Sequence, residues 1–226
     1  MKKIGLVGGI SWASTIDYYR LINEGVNQKM GGVHSAECSL YSLNFSDIKE
    51  KGWPNCYNLV LDACKKLVST EIDGIALCAN TAHYFADKLQ EQISIPILSI
   101  VNATIDTVKK DSLKRVGLLG TKLTMEMGIY KDKMAIEDIE IISPESNEDI
   151  RKIDSIIMSE LGKGLIKSQS KEFLLNSIEN LIKSGAEAII LGCTELPLVI
   201  KRSDISVPVF NTTKIHVNSI VNFIIE

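Results

Sequence analysis

Short apolar runs bounded by Gly, Pro, Asn and Thr alternate along the whole chain with longer stretches whose apolar residues recur three and four positions apart. The short runs predict strands over residues 3–7, 36–43, 74–78, 96–98, 115–119, 139–142, 188–191 and 208–210. The longer ones predict amphipathic helices over residues 15–28, 56–69, 148–161 and 171–183. Parallel strands need a crossover long enough to hold a helix, so this alternation predicts an α/β fold with mainly parallel sheets flanked by helices.

The pattern is also doubled. Lys3-Ile4-Gly5-Leu6-Val7-Gly8 resembles Arg115-Val116-Gly117-Leu118-Leu119-Gly120, and Ser94-Ile95-Pro96-Ile97-Leu98 resembles Ser206-Val207-Pro208-Val209-Phe210, both at one offset. A third pair, I-D-G-I-A-L-C-A-N-T-A-H from Ile72 and A-E-A-I-I-L-G-C-T-E-L-P from Ala186, needs a slightly longer offset and so compensating insertions. Three matches in the same order, all at strands, predict duplication of one α/β unit; recurrence of similar strands in any α/β chain is the alternative. Duplication gives two domains of ordinary size, residues 1–98 completed by 211–226, and residues 99–210. Ligands then bind beyond the carboxyl ends of the strands, in a cleft between the halves.

Composition narrows the class of protein without changing that architecture. With 45% hydrophobic and 23% charged residues the chain is ordinary for its predicted fold. A net charge of -3, with Lys and Arg scattered, offers no basic footprint for nucleic acid. No apolar run approaches the ~18 residues of a membrane span. The sequence opens on a strand rather than on the apolar region of a signal peptide, so a cytoplasmic protein with neither membrane nor nucleic-acid partners is expected. Cys38, Cys56, Cys64, Cys78 and Cys193 are odd in number and irregular in spacing, which argues against a disulfide framework. His34, His83 and His216 are the imidazoles, no C-x-x-C or H-x-x-x-H spacing occurs, and no metal site is expected.

Candidate chemistry gathers at the strand ends. The turns Gly8-Gly9-Ile10-Ser11, Ala79-Asn80-Thr81, Gly120-Thr121 and Cys193-Thr194-Glu195 each lead from a predicted strand into a helix. Helix N-termini present unpaired N–H groups and a partial positive charge to an anion, and Ser11, Asn80, Thr81, Thr121 and Thr194 add polar groups; a carboxylate is the expected guest. The same residue types also serve simply as N-caps. Free cysteines usually behave as small hydrophobes, the reading that suits Cys38, Cys56 and Cys64. Cys193 differs: it ends a strand, follows Gly192 and precedes a helix start, a setting that lowers a thiol pKa. A thiolate there can take a proton from carbon.

Several stretches resemble the cofactor-independent aspartate/glutamate racemase superfamily, in its aspartate-racemase and broad-specificity amino-acid racemase branch. They are I-G-L-V-G-G-I-S-W-A-S-T-I-D-Y-Y-R-L-I-N-E from Ile4, G-G-V-H-S-A from Gly31, C-A-N-T-A-H from Cys78, R-V-G-L-L-G-T from Arg115, L-G-C-T-E-L-P from Leu191 and F-N-T-T-K-I-H from Phe210. The resemblance implies a two-domain, pseudo-twofold α/β enzyme, commonly a homodimer, acting on a small amino acid without pyridoxal phosphate or metal. Two opposed groups, typically cysteines, would flank the substrate Cα, one removing the proton and the other returning it. The second-half thiol carries over to Cys193. Its first-half partner stands directly before the Asn-Thr pair, and that position is Ala79, which cannot exchange a proton.

Cys78, one place earlier, is the possible substitute; strand alternation aims it at the sheet packing, and a bulge could re-aim it. By the same resemblance Asn80, Thr81, Thr121 and Thr194 hold the α-carboxylate, and Ile10 and Ser11 join them at the first turn. Glu195 stands where glutamate racemases carry a histidine and either tunes Cys193 or is a helix-start acid. Lys163 fits a cationic position for a distal carboxylate, or is a solvated Lys. The loop where aspartate-specific members carry an Arg has only Lys51 as a stand-in, so substrates broader than aspartate are expected. A one-thiol decarboxylase or isomerase of the same superfamily, or a binding protein without catalysis, are the alternatives.

Overall fold

The computed structural model describes residues 1–226. The chain divides into two compact units, one formed by Met1–Ile100 with His216–Glu226, the other by Val101–Ile215.

In the first unit the order is β1 (Ile4–Gly8), α1 (Trp12–Met30), β2 (Cys38–Ser42), α2 (Phe45–Lys51), α3 (Tyr57–Val68), β3 (Gly74–Leu77), α4 (Ala86–Gln90) and β4 (Ile97–Leu98), with α5 (Ile100–Lys110) beginning at its end. All pairings are parallel and the sheet order is β2-β1-β3-β4. β1 and β3 are buried at every position, as parallel strands covered on both faces must be, and so read as continuous apolar runs. The edge strand β2 keeps exposed and half-buried residues.

The second unit repeats the plan: β5 (Arg115–Gly120), α6 (Lys122–Glu126), α7 (Lys131–Ile136), β6 (Glu140–Ile142), α8 (Asn147–Ser159), α9 (Ser168–Lys183), β7 (Ala188–Gly192), α10 (Leu196–Val199) and β8 (Val209–Asn211). Its parallel sheet has the order β6-β5-β7-β8, the same topology as the first. The last helix, α11 (Thr212–Ile225), returns the chain to the first unit, where Val217, Ile220, Val221 and Ile224 pack with Tyr18, Ile22 and Val26 of α1 over Ile4, Leu6 and Ala76. No helix is long and apolar enough to cross a membrane.

All eight predicted strands form, with ends displaced by one or two residues. β3 stops at Leu77, which leaves Cys78 just past the strand. Helices α5 and α11 were not anticipated. The first follows β4 with almost no turn between them, and the Ile and Val residues of α11 carry strand propensity that packing overrides.

Candidate active site

Register fixes which residues of the two units correspond. Val7 pairs with Leu77 across β1 and β3, while Leu119 pairs with Leu191 and Gly120 with Gly192 across β5 and β7. Counting on from the matched leucines, Cys78 corresponds to Gly192, Ala79 to Cys193, Asn80 to Thr194 and Thr81 to Glu195.

Cys193 lies immediately past β7 and is 7% exposed. Its Sγ–H donates to Oε2 of Glu195 at 2.7 Å, and the Thr194 hydroxyl donates to the same oxygen at 2.6 Å. Glu195 is itself buried. Two donors on one carboxylate oxygen, both charge-assisted, fix the direction of the thiol.

The expectation of a lowered thiol pKa is overturned. Burial is the largest influence and pushes the Cys193 thiol well above its ordinary value; the Glu195 carboxylate, by its charge and its hydrogen bond, pushes it further. The backbone N–H groups of Glu195 and Leu196 do pull the other way, as a helix start should, and lose. The helix they open, α10, is only four residues long, so little dipole stands behind them. Cys193 therefore rests as the thiol, with its proton directed at Glu195.

Cys78 is corrected too. It is 1% exposed and belongs to the apolar cluster of β1, α1 and α11, with burial pushing its thiol far upward. No bulge re-aims it; it is a core residue and not a substitute proton carrier. At the corresponding position of the second unit a side chain would be tight: a Cβ on Gly192 would lie 3.0 Å from Leu118 Cδ1 and 3.2 Å from Thr124 Cγ2, so those side chains would have to give by a few tenths of an ångström.

Ala79 is half-buried, and its carbonyl accepts from Nδ1 of His83 at 3.0 Å. The Nε2 of the same ring accepts from the Ile100 N–H at 3.1 Å, which assigns the Nδ1–H tautomer and ties this turn to the start of α5. His83 meets the ring of His216 edge-on at 5.4 Å. His216 is fully buried, donates from Nε2 to Leu98 O at 2.8 Å and accepts from the Tyr18 hydroxyl at 2.9 Å. Neither histidine was singled out from the sequence. The signal available was the four-residue spacing from Ala79 to His83, which lets a side chain return to the turn carbonyl.

The remaining residues divide. Ser11 caps α1, accepting from Ser14 N at 3.3 Å, and Thr121 caps α6, accepting from Thr124 N at 3.4 Å. Asn80 makes no such cap at the 3-10 turn it opens, and the Thr194 hydroxyl is spent on Glu195. Ile10 and Thr81 are half-buried at their turns. Lys51, at the end of α2, and Lys163, in a 3-10 turn after α8, are both exposed.

Residues 7–220 match the family described as Asp/Glu/Hydantoin racemase. A candidate Asp/Glu racemase from Yersinia pestis has a crystal structure that superimposes with a TM-score of 0.92 at 37% identity, covering 100% of each chain. An aspartate racemase homologue from Pyrococcus horikoshii gives a TM-score of 0.87 at 35% identity, again over 100% of each chain. The broad-specificity amino-acid racemase RacX of Bacillus subtilis is 28% identical over 154 residues, 68% of this chain and 66% of that one. The chain spans about half the length of the glutamate racemases it matches. With a match that runs through both duplicated units and all four strand-end turns, the chain is a member of the Asp/Glu/hydantoin racemase family.

Proposed function

We propose that this chain is an amino-acid racemase working without a cofactor on aspartate, glutamate or a broader set of polar amino acids, with Cys193 as one acid/base at Cα. The observation that carries the reading is the hydrogen-bonded set of Cys193, Glu195 and Thr194 at the end of β7, in a chain of a family whose named relatives are racemases. Asn80, Thr81 and Thr121 are assigned to the α-carboxylate, with Ile10 and Ser11 beside them, and Thr194 through its backbone, since its hydroxyl is held by Glu195. Donors aimed at that carboxylate stabilise the enediolate charge that develops as the Cα–H bond breaks. Lys163 and Lys51, both exposed, are assigned to a distal carboxylate. The reading includes a cytoplasmic homodimer.

The test is incubation of L- and D-amino acids with the protein, followed by chiral chromatography, beside Cys193→Ala. Interconversion that depends on Cys193 supports the reading. Absence of interconversion and of Cα proton exchange across a broad panel refutes it.

A second reading is favoured by one observation: the Cys193 Sγ–H donates to Glu195, and the residue matched to it in the first unit is Ala79, which carries no thiol. Such a group suits decarboxylation of a substituted malonate. The bond from Cα to one carboxylate breaks, carbon dioxide leaves, and Cys193 gives its proton to the enediolate before being reprotonated by water. Turnover of aryl- or alkylmalonates that vanishes in Cys193→Ala separates this from racemisation.

A further inference from the structure

We infer that Glu195 stores the proton of Cys193, and that this pair by itself exchanges the Cα proton of one enantiomer with solvent on one face without inverting it. The inference rests on the racemase reading and specifies how its chemistry runs in this chain.

Three observations carry it. First, a thiol must shed its proton before it can act as a base, and an acceptor already stands 2.7 Å from Sγ. Second, that acceptor oxygen is prepared for a changing charge: the Thr194 hydroxyl donates to it at 2.6 Å, and a proton placed on it stays within hydrogen-bond reach of the sulfur. Third, the residue that register matches to Cys193 is Ala79, whose methyl group neither takes nor gives a proton.

The S–H bond of Cys193 breaks and an O–H bond forms at Glu195. The thiolate then takes the Cα proton: the C–H bond breaks, an S–H bond forms, and the electron pair passes into the substrate carboxylate as an enediolate. Return runs the same bonds backwards. Exchange of the acidic proton of Glu195 with water while the enediolate lives, followed by proton transfer within the pair, brings solvent hydrogen to Cα on the face it left. No other reactant is consumed. Raising of the thiol by burial and by the carboxylate accords with a pair that shares one proton and starts with it on sulfur.

A different role for Glu195 is purely electrostatic: a negative neighbour that keeps the thiol protonated. The two roles predict opposite results for Glu195→Gln, which keeps the shape and an acceptor oxygen but loses the charge and the ability to store a proton. In both, the Cys193 thiolate forms at lower pH in the variant, which ultraviolet absorbance of the thiolate follows. If Glu195 only held the thiol up, more thiolate would mean faster exchange. If it stores the proton, exchange slows despite the extra thiolate, by roughly 10²-fold or more, the usual contribution of a placed acid or base.

The experiment follows Cα–H signals of L- and D-aspartate and glutamate by proton NMR in deuterium oxide, with configuration read by chiral chromatography, in wild type, Glu195→Gln, Glu195→Asp and Ala79→Cys. The expected result is exchange in one enantiomer with configuration kept, much slower in Glu195→Gln and intermediate in Glu195→Asp. Exchange in Glu195→Gln as fast as wild type or faster overturns the storage role. Should Glu195→Gln fail to fold, unslowed exchange in Glu195→Asp does the same. Wild type that interconverts enantiomers as fast as it exchanges them overturns the one-face conclusion and leaves the racemase reading standing. A silent wild type with a racemising Ala79→Cys also refutes this inference alone. Silence in both removes the racemase reading and this inference with it.

Discussion

His216 allows the most quantitative prediction. Its ring is fully buried, and burial, with a smaller push from His83, lowers its pKa from 6.5 to about 3. Unfolding frees the ring to titrate at its ordinary value. Below pH 6.5 the unfolded chain therefore binds a proton that the folded chain refuses, so stability is fully present above that pH and is lost as the pH falls towards 3. The slope from one such group is roughly 1.4 kcal/mol per pH unit, and the loss reaches about 3 kcal/mol by about pH 4.5.

Glu160, Glu187 and Asp204, all with lowered pKa values, lose their contributions only below their unfolded values of 4.5, 4.5 and 3.8, beneath this window. In His216→Gln the side chain cannot titrate yet keeps an N–H for Leu98 and an acceptor for Tyr18. Its stability near neutral pH should drop by about 1–3 kcal/mol for imperfect replacement of buried hydrogen bonds. Its slope between about pH 6.5 and 4.5 should flatten by the full one-proton amount. Urea unfolding followed by tryptophan fluorescence measures this in the right place, since Trp12 and Trp53, the two tryptophans, both belong to the first unit. Equal slopes for wild type and variant would refute the claim that the fold holds His216 neutral.

Other substitutions probe the core and the strand-end turns. Cys78→Ala should cost about 1 kcal/mol for the small cavity it leaves and leave Cα proton exchange at the wild-type rate; loss of exchange in a folded variant would return Cys78 to the chemistry. Gly9→Ala should lower the melting temperature sharply, by at least about 1–3 kcal/mol of strain. Gly9 sits at φ +83, and a Cβ there would lie 2.0 Å from the carbonyl oxygen of Leu43. Tyr130→Phe deletes a buried hydroxyl that bonds Thr104 and Thr212, and should cost about 1–2 kcal/mol in urea unfolding.

The sequence carried the sheet strands because parallel strands buried on both faces are unbroken apolar runs, as in Ile4–Gly8 and Ala188–Gly192. It carried the position of Cys193 because the duplication supplied an internal ruler. It did not carry the charge state of that thiol. The helix-start signal was real, with two amides directed at the sulfur, but local sequence gives no measure of burial or of where the Glu195 side chain turns. The Tyr18–His216 bond was illegible for a different reason, since it joins residues from opposite ends of the chain that only the return of α11 brings together.

The duplicated plan also explains where the two units were free to differ. In each, a threonine packs against the glycine that ends the leading strand: a Cβ on Gly8 would meet Thr15 Cγ2 at 2.4 Å, and one on Gly120 would meet Thr124 Cβ at 3.2 Å. Both threonines also secure their turns, Thr15 accepting from Gly9 N at 3.0 Å and Thr124 sharing a hydrogen bond with the Thr121 hydroxyl at 3.0 Å. This backbone arrangement is needed for each strand to hand over to its helix, and it tolerates little change. The positions just past β3 and β7 are under no such demand. Cys78 fills a core that the second unit closes with Gly192, and Ala79 takes the place of Cys193 at a half-buried site whose carbonyl, not its side chain, is held by His83. The difference in chemistry between the units therefore rests on a side chain that the fold does not use, which is why Ala79→Cys tests function with little expected effect on stability.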